Sequence, residues 1–186
     1  MSFPKGYKAT GLNCGIKKEK SDLAVVVSDV PAAAAAVYTT NLFQAAPLQV
    51  TKNNLLKEGK AQAVVVNSGV ANAAMGKQGV ADSEKVAGAL AKAYDLPAHY
   101  TIVASTGVIG MPLPVDKIVS GIEQSKTMLA PLDEGADLDR LCAKDGGSSG
   151  QCGWCRCSFL GDVQRGRDDS SKYVYNVGLC TLRCGD

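Results

Sequence analysis

The octapeptide VASTGVIG, residues 103–110, joins an apolar run to a hydroxyl and glycine pair before apolar residues resume. With the residues before it, the run reads YTIVAS (residues 100–105), a β-branched pattern typical of a buried strand. Two similar runs lie upstream, DLAVVVSDV (residues 22–30) and AQAVVVNSG (residues 61–69), and each ends in polar, turn-forming residues. The three runs predict a sheet whose strands are ended by polar turns, the third at Ser105-Thr106-Gly107.

Helical periodicity follows the second and third runs. ADSEKVAGALAKAYDLP, residues 81–97, carries apolar residues every four positions, with Asp82 or Ser83 as the predicted N-cap. PVDKIVSGIEQSKTML, residues 114–129, follows the i, i+3, i+4, i+7 pattern of an amphipathic helix. Alternating strands and helices predict an α/β fold with functional groups at the strand ends.

An alanine run, Ala32–Ala36, is ambiguous by propensity. Alanine favours helix, but Pro31 precedes the run and the β-branched segment Val37–Thr40 follows it. We therefore predict strand.

Composition limits the function classes. The chain has 186 residues, 46% of them hydrophobic, and its 20 basic and 18 acidic residues are mixed along the sequence. Because no basic stripe is visible, nucleic acid is not an expected partner. No signal-peptide core or membrane-length apolar run occurs, so the sequence predicts a cytoplasmic protein with no membrane association.

Residue usage changes abruptly near Cys142. Six of the seven cysteines lie from that residue onward, whereas alanine is absent after Ala143. The DGGSSG stretch, residues 145–150, has linker character. We predict two units, residues 1–140 and an atypical cysteine-rich tail, residues 141–186.

In the first unit, side-chain hydroxyls and backbone N–H groups are the candidate catalytic groups. His99 is the only histidine, and we interpret it as a surface residue and not as the base of a catalytic triad. No metal-ligand spacing, dinucleotide fingerprint or P-loop is present in this unit. The turn predicted at Ser105-Thr106-Gly107 could aim a hydroxyl and an N–H at an oxyanion, but the residues alone favour a plain strand-to-turn junction.

Other polar residues at the strand ends allow the same two interpretations. Asn67-Ser68-Gly69 with Asn72, and Thr39-Thr40-Asn41, could line a polar small-molecule pocket. The pattern alone favours their role as strand terminators.

Five blocks, read together, resemble one protein family. They are GYKATGLNCGIK, DLAVVVSDVPAAAAAVYTTN, AAPLQV, AVVVNSGVANA and VASTGVIGMPLPVDKI. Their order and spacing are similar to the N-terminal, α-chain portion of the bifunctional ornithine acetyltransferase/glutamate N-acetyltransferase family, ArgJ. The resemblance covers residues 4 to about 135. It implies an ArgJ/DmpA-like α/β fold that is incomplete without a C-terminal half.

The resemblance also implies a reaction. Family members transfer an acetyl group from N-acetylornithine to glutamate, giving ornithine and N-acetylglutamate in the cyclic arginine pathway. Some members also use acetyl-CoA as the acetyl donor. The resemblance implies no bound cofactor or metal. They cleave themselves at an Ala-Thr bond, and the freed threonine is the nucleophile of a β chain in an α2β2 assembly. The family's oxyanion hole corresponds to Thr106 and Gly107.

Departures from the family pattern are local. The family reads Asn-Ser-Gly-Asn-Ala-Asn-Ala-Cys-Thr-Gly where residues 67–76 carry apolar Val70, Ala74 and Met75 at three polar positions. After residue 140 neither the Thr-Thr-Asp segment nor the Ala-Thr cleavage site is present, so Thr181 is not assigned as nucleophile, which remains unknown.

Two explanations of the tail stay open. Cys152, Cys155, Cys180 and Cys184 could hold a structural zinc ion. Alternatively, the tail is read from a shifted frame or is disordered. The alternative to an acetyltransferase is accordingly a non-catalytic truncated homologue or a zinc-assisted binding module.

Overall fold

The computed structural model describes residues 5–131 and the backbone of residues 178–182. The elements are β1 (Tyr7–Leu12), β2 (Leu23–Val37), α1 (Ala46–Glu58), β3 (Lys60–Val70), α2 (Gly76–Ala93), a short 3₁₀ turn (Ala98–Tyr100), β4 (Thr101–Val108), α3 (Val115–Ser125), β5 (Ala130–Pro131) and β6 (Gly178–Leu182). Strands and helices alternate through the middle of the chain, which confirms the predicted α/β class.

The described strands form one mixed sheet in the order β4-β3-β2-β1-β5, with β6 also paired to β2. Strand β3 pairs in parallel with β4, whereas the other pairs are antiparallel. A parallel pair needs a crossover connection, and α2 provides it. The β3-α2-β4 unit brings the carboxyl ends of two consecutive strands to the same end of the sheet.

Strand β2 is the longest element of the sheet. Its register with β3 shifts between Val27 and Ala32, beside Pro31, which has no N–H to donate to a ladder. Beyond the shift, the segment Ala33–Val37 pairs with β6. The strand predicted over Ala32–Ala36 is therefore confirmed.

All three helices contribute side chains to one main core on a single face of the sheet. Residues at most 2% exposed there include Leu23, Val25, Val65, Val103, Leu90, Ile118 and Ile122. On the other face, Val64 and Ile102 are also buried, together with Leu55. Burial on both faces explains why the strands are uninterrupted apolar runs. Each such side chain contributes about 1.5 to 3 kcal/mol.

Helix α2 begins earlier than predicted. It begins at Gly76, so Asp82 and Ser83 are buried residues of its second turn and not N-caps. The side chain of Asn72 holds the helix start instead: its Nδ2 donates to the Gly79 carbonyl at 2.9 Å and to Ser83 Oγ at 2.8 Å. Asn72 precedes the helix by four residues, so this tether is not an N-cap pattern.

Within the described residues, no helix combines the length and apolar character needed to cross a membrane.

We expect Asn72→Ala to lower the free energy of unfolding by about 1 to 3 kcal/mol, because two buried acceptors lose their donor. Asn72 also has a φ of 46°, a conformation that alanine adopts less readily. Urea denaturation measures the loss. The control is Asn53→Ala, an exposed helical position where stability should stay within about 0.5 kcal/mol; equal stability of both variants contradicts the expectation.

Candidate functional site

Two polar triplets lie side by side at the ends of β3 and β4. Asn67 pairs with Ser105, Ser68 with Thr106, and Gly69 with Gly107. Both strands continue one residue past these triplets, so the turn predicted at Ser105-Thr106-Gly107 is wrong. The parallel partner supplies hydrogen bonds that keep the backbone extended, and the chain turns only at residues 109–110.

Gly107 adopts a backbone conformation in which a side chain would point into the backbone of β3. Gly107 has a φ of 133°, a conformation that side chains disfavour. A Cβ atom on Gly107 would overlap the carbonyl group of Gly69 and lie 2.6 Å from the backbone nitrogen of Val70. Glycine is therefore required at residue 107 both by conformation and by space.

Helix α1 covers only part of the outer edge of β4. Thr51 Oγ1 lies 3.4 Å from the backbone nitrogen of Val103 and donates to its carbonyl at 3.2 Å, and Asn54 donates to the Thr101 carbonyl at 3.0 Å. Backbone groups alternate in direction along a strand, so Gly107, four residues beyond Val103, also faces outward. The Val108 carbonyl, which accepts from Ala71 at 2.9 Å, faces β3 as this alternation requires.

Thr106 and Ser105 lie on opposite faces of β4. Ser105 follows Val103 on the helix side, and its Oγ is buried with no hydrogen-bond partner among the described residues. Thr106 is exposed on the other side, where its Oγ1 donates to the Asn67 carbonyl over 3.5 Å. A bond of that length is weak. The Thr106 hydroxyl, directed towards β3, and the Gly107 N–H, directed towards the outer edge, are therefore donors on consecutive residues, and an oxyanion site requires both to be aimed at one point.

The other strand-end polar residues are engaged internally. Asn67 donates to the Val70 carbonyl at 2.9 Å, and Asn72 is fully buried against α2. Asn41 shapes its own loop, since its Oδ1 accepts from the Phe43 N–H at 2.9 Å. These bonds favour the structural interpretation of the amides over a polar pocket. Val70, one departure from the family pattern, packs in the main core at 6% exposure.

Sequence reasoning missed Asp22. This residue is 2% exposed, and its carboxylate accepts hydrogen bonds from the backbone N–H groups of Cys14 at 2.7 Å, Ile16 at 2.7 Å and Lys17 at 2.8 Å. Burial opposes ionisation of Asp22, but the three N–H groups and the Cys14 thiol together lower its pKa. Its carbonyl accepts from the Ser68 N–H at 2.8 Å, beside the polar triplet of β3. An aspartate before an apolar strand is too common for sequence alone to reveal this role.

Cys14 is not a nucleophile of the site. Burial first, and then the hydrogen bond and charge of Asp22, raise the pKa of its thiol to about 12. The reactive thiolate is therefore scarce at neutral pH.

His99 lies at the opposite end of β4. Its Nε2 is 3.0 Å from Glu58 Oε1, and its ring meets the edge of the Tyr100 ring. Hydrogen bonds from Tyr100 and His99 lower the pKa of Glu58. His99 and Thr106 are separated along β4 by roughly 20 Å, at about 3.3 Å per residue. His99 therefore cannot act on Thr106. Its interpretation as a surface residue agrees with this position.

Residues 5–131 hold no group of three histidine, cysteine, aspartate or glutamate side chains that could bind a metal ion. The zinc hypothesis concerns other residues. Cys152, Cys155 and Cys184 lie outside the described residues, and of Cys180, in β6, only the backbone is described.

Comparison with known proteins agrees with the resemblance. The model of the ArgJ family matches residues 8–143. The arginine biosynthesis bifunctional protein ArgJ of Bacillus cereus is 55% identical over 119 residues, which are 64% of this chain and 29% of that protein. The protein of the same name from Halalkalibacterium halodurans is 49% identical over 126 residues, 68% of this chain and 31% of that protein. The chain thus spans about three tenths of the length of these relatives.

Two solved structures share the fold. The arginine biosynthesis bifunctional protein ArgJ from Bacillus halodurans superposes with a TM-score of 0.63 at 44% identity, covering 67% of this chain and 69% of that chain. The ornithine acetyltransferase from Mycobacterium tuberculosis, complexed with ornithine, superposes with a TM-score of 0.64 at 36% identity, covering 68% and 69%.

We expect Gly107→Ala to lower the free energy of unfolding by about 2 to 4 kcal/mol, because the methyl group meets the β3 backbone and alanine disfavours the positive φ. The matched control is Gly88→Ala on the exposed face of α2, where an added Cβ meets nothing within 4 Å. Higher helix propensity should make that variant about 1 kcal/mol more stable. Thermal and urea unfolding of both variants make the measurement, and a harmless Gly107→Ala would contradict this contact with the β3 backbone.

We also expect the Cys14 thiol to react with iodoacetamide at pH 8 at least about 100-fold more slowly in the folded chain than in urea, because so little thiolate forms. Mass spectrometry of the tryptic peptide containing Cys14 follows this thiol separately from the others. Asp22→Asn should accelerate the folded-state reaction, since the carboxylate raises the thiol pKa. Equal rates in folded and unfolded chains would show that the thiol is unperturbed.

Proposed function

The chain belongs to the ArgJ family, and on this premise we propose that it forms the oxyanion-binding half of an acetyltransferase acting on N2-acetyl-L-ornithine and L-glutamate. Its curated relatives are arginine biosynthesis proteins. Support for an ornithine-type substrate comes from the Mycobacterium tuberculosis neighbour, an ornithine acetyltransferase complexed with ornithine. Acetyl-CoA is a second acetyl donor under the same proposal.

The observation that carries the proposal is the pairing of Ser68-Gly69 with Thr106-Gly107. Within it, the Thr106 hydroxyl and the Gly107 N–H are neighbouring donors for the oxygen that becomes negative when the acetyl carbonyl is attacked. Both donors belong to residues held in a strand, and the Thr106 hydroxyl has only its weak bond to the Asn67 carbonyl to give up when it turns towards the oxyanion. Loss of one such donor raises an activation barrier by about 2.7 to 4 kcal/mol.

The nucleophile comes from outside this half of the enzyme. The proposed group is the N-terminal threonine of a β chain, whose own amine accepts the hydroxyl proton. Attack on the acetyl carbonyl releases ornithine and leaves an acetyl ester on the threonine; the amine of glutamate then attacks the ester and restores the hydroxyl. The proposed assembly contains two α and two β chains, and this chain takes the α position.

Complementation tests the function. The 186-residue chain is co-expressed with the C-terminal portion of the Halalkalibacterium halodurans relative, and acetyl transfer from N-acetylornithine to labelled glutamate is measured. We expect transfer with the complement and none from the chain alone. No transfer in either case, with the complement folded and bound, contradicts the proposal and favours a non-catalytic truncated homologue.

In the complemented enzyme, Thr106→Val should lower kcat by about 100- to 1000-fold, because one oxyanion donor is removed. Thr106→Ser keeps the hydroxyl and should retain most of the activity. Thr127→Val, at an exposed threonine after α3, is the control and should leave kcat unchanged. A Thr106→Val enzyme as active as its parent would exclude the hydroxyl from catalysis.

A further inference from the structure

The loop between β1 and β2, residues 13–22, lies against the same end of the sheet as the candidate site. Leu12 pairs with Leu23 where the loop leaves and rejoins the sheet, and Leu23 pairs with Asn67 of β3. Lys117 of α3 holds the loop from outside by donating to the Gly15 carbonyl at 2.7 Å. The loop is thus placed beside the polar triplet of β3.

Asp22 determines the shape of this loop. Its buried carboxylate gathers three backbone N–H groups of the loop within 2.8 Å, which curls the loop around a single charge. Hydrogen bonds to a carboxylate are about twice as strong as neutral ones. The Asp22 carbonyl binds the Ser68 N–H at 2.8 Å, so one residue connects both the loop and β3.

From the loop, a chain of close contacts leads to the candidate site. A Cβ atom on Gly69 would lie 2.7 Å from Ile16 Cγ2, which shows that the Ile16 side chain packs directly on the Gly69 backbone. On its other side, the Gly69 carbonyl group occupies the space that a Cβ of Gly107 would need. Ile16, Gly69 and Gly107 therefore form a continuous series of contacts.

We propose that Asp22 is a positioning residue of the candidate site, which holds the Gly107 peptide, and hence the direction of its N–H, through Ile16 and Gly69. The inference rests on the proposed function in one respect, since it takes that N–H as an oxyanion donor. Asp22 itself does not touch the reacting groups. Its effect on catalysis is to keep a donor aimed at the developing charge, and displacement of such a group by about 1 Å can reduce a rate 100-fold.

A carboxylate is specifically required for this arrangement. Its two oxygens accept all three loop N–H groups: Oδ1 accepts from Cys14, and Oδ2 from Ile16 and Lys17. An asparagine has one acceptor oxygen, and its NH2 group would face a loop N–H, donor against donor. Asp22→Asn therefore releases one end of the loop while nearly preserving the volume of the side chain.

The first experiment uses the ¹⁵N-labelled 186-residue chain and compares ¹H–¹⁵N spectra of folded variants. Asp22→Asn should shift the amide resonances of Gly69 and Gly107 as well as those of the loop. The control, Asp29→Asn, changes an exposed carboxylate of β2 that pairs with Lys8 at 3.0 Å, and should leave both glycine resonances in place. Unmoved glycine resonances in folded Asp22→Asn, or equal shifts in the control, overturn the proposal.

Ile16→Ala gives an independent route if Asp22→Asn does not fold. The side chain is half-buried, and its truncation leaves the three bonds of Asp22 intact while removing the contact on Gly69. The Gly107 resonance should shift in this variant. Where Asp22→Asn does fold, the shift in the double variant should be smaller than the sum of the single shifts. A Gly107 resonance that does not shift in Ile16→Ala overturns the proposal that Ile16 and Gly69 hold the Gly107 peptide.

Kinetics of the complemented enzyme separate positioning from general damage. Asp22→Asn should lower kcat about 10- to 100-fold while the KM for N-acetylornithine stays within about twofold, because only a transition-state interaction is lost. A higher KM with unchanged kcat overturns the proposal. If the complemented parent is inactive, the proposed function fails, whereas the spectra still decide whether Asp22 controls Gly107.

Discussion

The parallel pairing of β3 with β4 is the constraint on which the remaining structure depends. A parallel pair cannot be closed by a short turn, so α2 must cross one face of the sheet, and its apolar side chains become the centre of the core. The same pairing aligns the ends of both strands. Polar triplets that are 38 residues apart in the chain thereby become neighbours, Asn67–Gly69 against Ser105–Gly107.

At the candidate site, both the packing and the proposed chemistry favour a backbone without side chains. Gly69 and Gly107 lack side chains because the two backbones and Ile16 occupy the space. Beyond Val103, the point where the hydrogen bonds from α1 end, residues 106–108 of β4 are exposed. A rigid backbone donor at an open edge is the kind of group that stabilises a developing oxyanion with little reorganisation.

The comparison with known relatives shows how much of their length this chain contains. The matched region holds Thr106 and Gly107, but the chain spans about three tenths of the length of its curated relatives. A nucleophile from a second chain accords with this division, and also with the distant position of His99. Departure from the family pattern at Val70 affects packing more than chemistry, since its side chain is part of the main core.

Much of this architecture follows from local pattern. The β-branched runs predicted strands β2, β3 and β4, and apolar spacing predicted α2 and α3, because those signals reflect burial on a continuous face. Helix α1 carries a weaker signal: its segment, APLQVTKNNLLKE, contains apolar and polar residues in nearly equal numbers and is stabilised through contacts with β4 and α2. The early start of α2 likewise depends on Asn72, whose partners lie 7 and 11 residues away.

By itself, the sequence determined the α/β class through its apolar runs and the family through five motif blocks, and the candidate pair Thr106 and Gly107 came from the resemblance to that family. Tertiary structure alone decided that Ser105–Gly107 is strand and not turn, because an extended backbone there requires β3 as a partner. It also decided the role of Asp22, because its carboxylate accepts hydrogen bonds from three loop N–H groups only after the fold brings them together. Local residues select local conformations, whereas hydrogen-bond partners and close contacts between distant segments exist only after folding.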